Sequence, residues 1–256
     1  MSWVYTALIM VAAAAALASP VRVGPGVYRP LYPPSPAEAE IQVDPFLLDA
    51  TPVTNADFLG FVLSHPEWRR DQAAALFRDD AYLSHWAGAV TLGSAVDGRQ
   101  PVTRVSWFAA RAYCEAQGAR LPLEAEWELA AMASESQADA SHDPAFLAKI
   151  LAWYGTPNDG PLAAVGQGPA NVWGVYDLHG LVWEWIEDYN SALINVDNRQ
   201  NGGTDKTAFC GAAAYSAKDK EDYAAFMRVA FRSSLEGRYT ARNLGFRCAR
   251  DLGGTP

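Results

Sequence analysis

The sequence predicts a single loop-rich domain of short helices and short strands, with a core filled by aromatic side chains more than by long helices. Three observations predict it. The 256 residues include nine Trp and 20 Gly, many for this length. Half of the residues are hydrophobic and 19% are charged, a globular balance and neither a disordered nor a fibrous one. Helical periodicity occurs only in brief, well-capped stretches, and no internal repeat interrupts the chain. The formal net charge of −9 argues against nucleic acid or an anionic membrane surface as partner, since both need a basic face.

Met1 to Ala18 stand apart. An apolar run from Trp3 ends in Ala16-Leu17-Ala18, a small-x-small site ahead of Ser19-Pro20. It is short for a bilayer span and reads as a cleavable secretory signal. Its n-region has no Lys or Arg, so an uncleaved anchor is the alternative. The remainder is expected to be periplasmic or secreted, with no membrane contact beyond the leader.

Residues 19–37 hold six prolines and no helical period, so they read as an extended lead-in to a domain spanning 38–252. Ile41-Gln42-Val43 and Pro45-Phe46-Leu47-Leu48 read as short strands around a kink. Thr54 can cap a helix with Asp57 near the capping-box position, carrying Phe58, Phe61 and Val62 inward and stopping before Pro66. Residues 66–100 show no period and read as an irregular insertion. Ser106 is a plausible N-cap for a second helix with Ala109, Ala110, Tyr113 and Cys114 on one face, ended by Gly118. Pro122 opens a third helix with Glu124, Glu126 and Glu128, and with Trp127, Ala130 and Ala131 inward. Leu123 is a poor cap, so that helix end should be less well satisfied. From about 150 onward few helical periods are visible. Arg228 and Arg232, four apart, can share a helix face and pair with Asp222 or Glu236.

The three cysteines, Cys114, Cys210 and Cys248, lie in a chain expected to enter an oxidising compartment. Spacing does not choose among their three possible pairings, and one thiol is left over. No C-x-x-C is present. His65, His85 and His142 are scattered among loop-like segments and read as surface histidines. Trp107, Trp127, Trp183 and Trp185 read as core.

Three segments together resemble the formylglycine-generating-enzyme (sulfatase-modifying factor) family. They are Pro101-Val102-x-x-Val105-Ser106-Trp107 running through Arg120-Leu121-Pro122-x-Glu124-Ala125-Glu126-Trp127-Glu128; Asn171-Val172-Trp173-Gly174-Val175-Tyr176-Asp177-Leu178-His179-Gly180-x-Val182-Trp183-Glu184-Trp185; and Asn243-Leu244-Gly245-Phe246-Arg247-Cys248. With a weaker match from Pro52 to Phe61, the likeness covers roughly residues 40–250.

The resemblance implies an α+β fold with a C-type-lectin-like core, little regular secondary structure and long loops. It implies a Cys114–Cys248 disulfide, against the alternative of two buried free thiols. It also implies a calcium ion held by the Asp177 and Glu184 side chains and the Gly180 and Val182 carbonyls. Hard oxygen ligands on a glycine turn suit calcium. The competing reading pairs both acids with arginines such as Arg247, and Leu181 departs from the family's usual Asn.

The family's enzymes oxidise a target cysteine using copper bound by two nearby cysteines, because soft thiolates suit cuprous copper. Between Cys210 and Cys248 this chain has no cysteine. Cys210 is thus a buried thiol or the lone candidate for a reactive or metal-binding sulfur, with Met227 and His179 as possible partners. The expected function is an exported accessory or maturation factor for a periplasmic protein, a cuproprotein among the candidates. The final segment looks similar to the subgroup associated with copper nitrite reductase. An oxidoreductase acting on a peptide or small metabolite is the alternative, and a binding module a weaker one.

Overall fold

A computed structural model describes residues 19–33, 39–157, 160–190 and 220–253. The leader and Cys210 lie outside the described residues.

The chain enters through two short strands, β1 (Pro20–Val23) and β2 (Gly26–Tyr28), followed by β3 (Ile41–Val43) and β4 (Phe46–Asp49). β1 pairs antiparallel with β4, and β2 with β3. The segment read as a lead-in is therefore extended but belongs to the domain. Two of its prolines fall where a strand tolerates them: Pro20 opens β1, and Pro25 sits between β1 and β2. β7 (Ala249–Asp251) completes a three-stranded sheet in the order β1-β4-β7, bringing the C-terminal end beside the first strand.

Helix α1 (Asn55–Ser64) starts at Thr54 with both halves of the capping box formed. Buried Phe58, Phe61 and Val62 are its inward face. Residues 66–100 are irregular beyond a 3-10 turn at Pro66–Trp68, yet they are not an appendage. Tyr82, Leu83 and Trp86 are buried in the main core, with the Trp86 indole donating to Asn55 Oδ1 at 2.8 Å. Helix α2 (Trp107–Ala116) is capped by Ser106 and ends before Gly118, whose φ of +63° is the left-handed turn that glycine takes without strain.

Helix α3 (Glu124–Ala131) has no side-chain cap from Leu123. Its end is nevertheless satisfied, contrary to the sequence expectation. Asp188, 64 residues later, accepts the Glu124 N–H at 2.7 Å, and Glu126 accepts the Leu123 N–H at 2.8 Å. A tertiary cap replaces the local one.

Two later helices complete the framework: α4 (Pro144–Tyr154) and α5 (Lys220–Ser233). The first of these was not expected. Its signal was present as Asp143, which accepts from the Ala145 and Phe146 N–H groups, ahead of Pro144 at the first helical position. β5 (Trp183–Trp185) and β6 (Leu244–Phe246) pair in parallel. β6 runs so close to the backbone at residue 102 that a Cβ on Gly245 would lie 2.7 Å from the Val102 carbonyl oxygen.

Two buried clusters result. One joins α1, α2, Tyr82, Trp86, Trp185 and Phe246, with Cys114 bonded to Cys248 within it. The other packs α3 against the strands from Val23 to Leu48 and against Val175, Leu178 and Ile186. The 177–184 turn, α4 and α5 lie around the second cluster and build the site. Among the described residues no helix is long and apolar enough to cross a membrane.

Candidate functional site

The turn that leads into β5 carries the residues assigned to calcium by the resemblance. Asp177 takes a left-handed conformation at φ +60°, and Gly180 turns at φ +106°. Asp177 Oδ2 accepts the Gly166 N–H at 2.6 Å, and burial holds its carboxyl above the ordinary range. Val182 is buried and Gly180 exposed.

Glu184 points elsewhere. Its two oxygens receive Arg247 Nε and Nη2, both at 2.8 Å, and Oε2 also accepts the Trp127 indole N–H at 2.7 Å. Both side chains of the ion pair are 0% exposed. Of the two readings open for Glu184, its oxygens take the arginine. Asp177 makes no such bond. In this arrangement Asp177 is held by the Gly166 N–H and Glu184 by Arg247 and Trp127, so the two carboxylates of the set Asp177, Gly180, Val182 and Glu184 have separate partners, and a calcium ion on Glu184 would have to share it with a guanidinium.

Beside it lies a second buried ion cluster. Glu128 accepts from Arg228 Nε at 2.9 and 3.0 Å, from Arg228 Nη2 at 2.8 Å and from Arg232 Nη1 at 2.7 Å. Burial pushes Glu128 up, but the two guanidiniums outweigh it and bring its pKa down to about 2. Arg228 also donates to the Tyr154 hydroxyl at 3.2 Å, and Arg232 lies 4.8 Å over the Trp127 ring. The two arginines do share a helix face. Their described side-chain partners, Glu128, Glu124 and Tyr154, come from α3 and α4 and not from Glu236, because that face of α5 is turned inward onto α3; the Asp222 side chain lies outside the described residues.

His179 stands between two cavities of about 350 and 390 Å3, which share α4 residues Phe146 and Ile150. Its Nε2 lies 2.9 Å from the Ala131 carbonyl, so Nε2 carries the proton and donates. Burial, reinforced by Arg228, lowers its pKa to about 4. The neutral ring stacks edge-on against Trp127 and Phe146.

At the C-terminal end of α4, a cavity of about 330 Å3 is bordered by Trp153, Tyr154, Trp183, Pro161, Leu181 and Asn243. Tyr154 stacks on Trp183 at 5.0 Å and Trp183 on Phe231 at 4.5 Å. Trp183 is thus half-buried at an aromatic slot, whereas Trp127 and Trp185 are core. Trp107 is half-buried, its indole donating to the Ile186 carbonyl. Sequence reasoning missed this slot, since three of its walls come from segments far apart in the chain.

Cys114 and Cys248 are joined as the resemblance implied, tying α2 to the segment between β6 and β7. Cys210 is outside the described residues, so its approach to Met227 or His179 is not part of this geometry. Among the described residues no three His, Cys, Asp or Glu side chains are grouped to hold a metal. His85 is half-buried rather than on the surface, 3.3 Å from Asn55 Oδ1, and burial lowers its pKa to about 4. His142 is exposed.

The chain matches the model of the sulfatase-modifying factor enzyme 1-like domain over residues 12–252. It is 31% identical to the formylglycine-generating enzyme of Streptomyces coelicolor over 262 aligned positions, covering 84% of this chain and 83% of that protein. It is 30% identical over 250 positions to the inactive C-alpha-formylglycine-generating enzyme 2 of Mus musculus, covering 84% and 78%. Similar solved structures include CarF, with a TM-score of 0.48 and 18% identity, covering 91% of this chain and 98% of that one. PvdO from Pseudomonas aeruginosa gives 0.43 and 16%, covering 92% of each. The chain belongs to the formylglycine-generating-enzyme, or sulfatase-modifying factor, family.

Proposed function

We propose that this chain is an exported family member that does not generate formylglycine and acts as an accessory or maturation factor for another exported protein, a copper enzyme being the first partner to test. Cysteine usage carries the reading. Of three cysteines in the whole chain, Cys114 and Cys248 are bonded to each other, which leaves the single thiol of Cys210. A cuprous site of two thiolates cannot be assembled from one sulfur. A relative described as inactive supports the idea that the family includes members without the oxidase activity. The leader from Met1 to Ala18 and the disulfide both support export, since disulfides persist in oxidising compartments.

The aromatic slot at Trp153, Tyr154 and Trp183 is the surface assigned to partner contact, since flat rings can hold an apolar segment at small entropic cost. The test has two arms. A cysteine-containing sulfatase peptide is incubated with the protein, cuprous copper and oxygen, and no aldehyde is expected by mass spectrometry. An exported copper enzyme is then produced with and without this chain, and its copper content should fall when the chain is missing. Aldehyde formation, or a redox metal retained at one per chain, would establish the oxidoreductase reading instead. Unchanged copper content would remove the accessory role for that partner.

A further inference from the structure

The buried Arg247 is surrounded by oxygen alone. Its guanidinium has five N–H donors. Nε and one Nη2 proton go to Glu184, the other Nη2 proton to the Tyr176 carbonyl at 2.8 Å, and Nη1 to the carbonyls of Asp49 at 3.1 Å and Ala50 at 3.2 Å. Every donor is spent, and five oxygens from three separated stretches of chain face one cation. Hard oxygens gathered in this way around a positive charge are the shell that a divalent cation such as calcium would also seek.

We propose that Arg247 is the built-in cation of the 177–184 turn, so that this family member closes the turn without a divalent metal and Glu184 is a structural anion. A further observation supports it. Glu184 Oε2 already carries two donors, from Arg247 and Trp127, in a side chain sealed from solvent. A calcium ion drawing on Glu184 would stand beside the Arg247 guanidinium. Both are positive, and in a low-dielectric interior their repulsion is large.

The experiment is thermal unfolding of the mature protein in excess EGTA and in millimolar calcium, with calcium per chain measured after dialysis. The expected result is one Tm in both buffers and no stoichiometric calcium. A site filled a hundredfold above its Kd would raise Tm by roughly 5–10 °C. A rise of that size, or one calcium retained per chain, overturns the proposal. Glu184→Gln supplies a second readout. It should lower Tm by the same amount in EGTA and in calcium; a deficit seen only in calcium would mean that Glu184 binds the metal. Should Glu184→Gln fail to fold, the comparison on the unaltered protein decides alone.

Discussion

Glu184 and Arg247, 63 positions apart, form a bidentate ion pair from which water is wholly excluded. The pair joins β5 to the end of β6, and the remaining Arg247 donors reach the end of β4 and the start of the 177–184 turn. Breaking a buried pair leaves an uncompensated charge and costs about 3–5 kcal/mol, whereas replacing both partners with apolar groups is often neutral. Arg247→Met should therefore destabilise by that amount in urea unfolding. Arg247→Met with Glu184→Leu should recover part of the loss, although the Asp49, Ala50 and Tyr176 carbonyls would remain unpaired. Equal stability of the two variants would show that the carbonyl bonds, and not the ion pair, carry the energy.

The Cys114–Cys248 bond closes a loop with a sequence separation of 134. In the chain-entropy model such a crosslink contributes roughly 4–5 kcal/mol. Cys114→Ala with Cys248→Ala should lower the urea midpoint accordingly, and dithiothreitol should act on the parent protein but not on this variant. A midpoint unaffected by reduction would mean that the crosslink constrains little in the unfolded chain.

Glu128 compensates two guanidiniums at once. Glu128→Ala leaves Arg228 buried without its anion and Arg232 with Glu124 alone, at 3.4 Å, and a loss of at least about 3 kcal/mol is expected. Near-ultraviolet circular dichroism should change as well, because Arg232 packs on Trp127 and Arg228 holds Tyr154.

Asp188 is the remote cap of α3. Asp188→Ala should cost about 1 kcal/mol, in the range of ordinary N-cap losses. Leu123→Thr, which restores a local cap, should reduce that cost if the helix start is indeed what Asp188 supports.

His179 and His85 are both held neutral in the folded chain, with pKa values of about 4 against an ordinary 6.5. Their folded pKa lies below the unfolded one. The associated stability is complete above pH 6.5 and is lost as pH falls toward 4, because unfolding takes up protons. Each histidine contributes a slope of up to about 1.4 kcal/mol per pH unit. Asp49, Asp177 and Asp188 are raised by burial and act in the opposite sense nearer the carboxylate range, so the histidine signal is cleanest between pH 6.5 and 5. The urea midpoint should fall over that interval, and less steeply in His179→Gln. A flat profile in the parent would mean that neither ring is held neutral.

Much of the fold was legible because its determinants are local. Thr54 with Asp57, and Ser106 followed by Ala109, Ala110, Tyr113 and Cys114, specify where α1 and α2 begin and which faces turn inward. Three ordered segments, from Pro101 to Glu128, Asn171 to Trp185 and Asn243 to Cys248, were enough to place the chain in its family. The cysteine count alone determined that no thiolate pair remains once one disulfide has formed.

Only the tertiary structure decided which opposite charges meet. Glu184 pairs with Arg247, and Arg228 and Arg232 reach Glu128 across the core. It also made the lead-in part of a sheet, capped α3 from residue 188, and assembled the aromatic slot at Trp183. The reason is physical. Caps and helical faces are set within a few residues, but the partner of a buried charge is set by which groups lose their water together, and that depends on packing among segments a hundred residues apart.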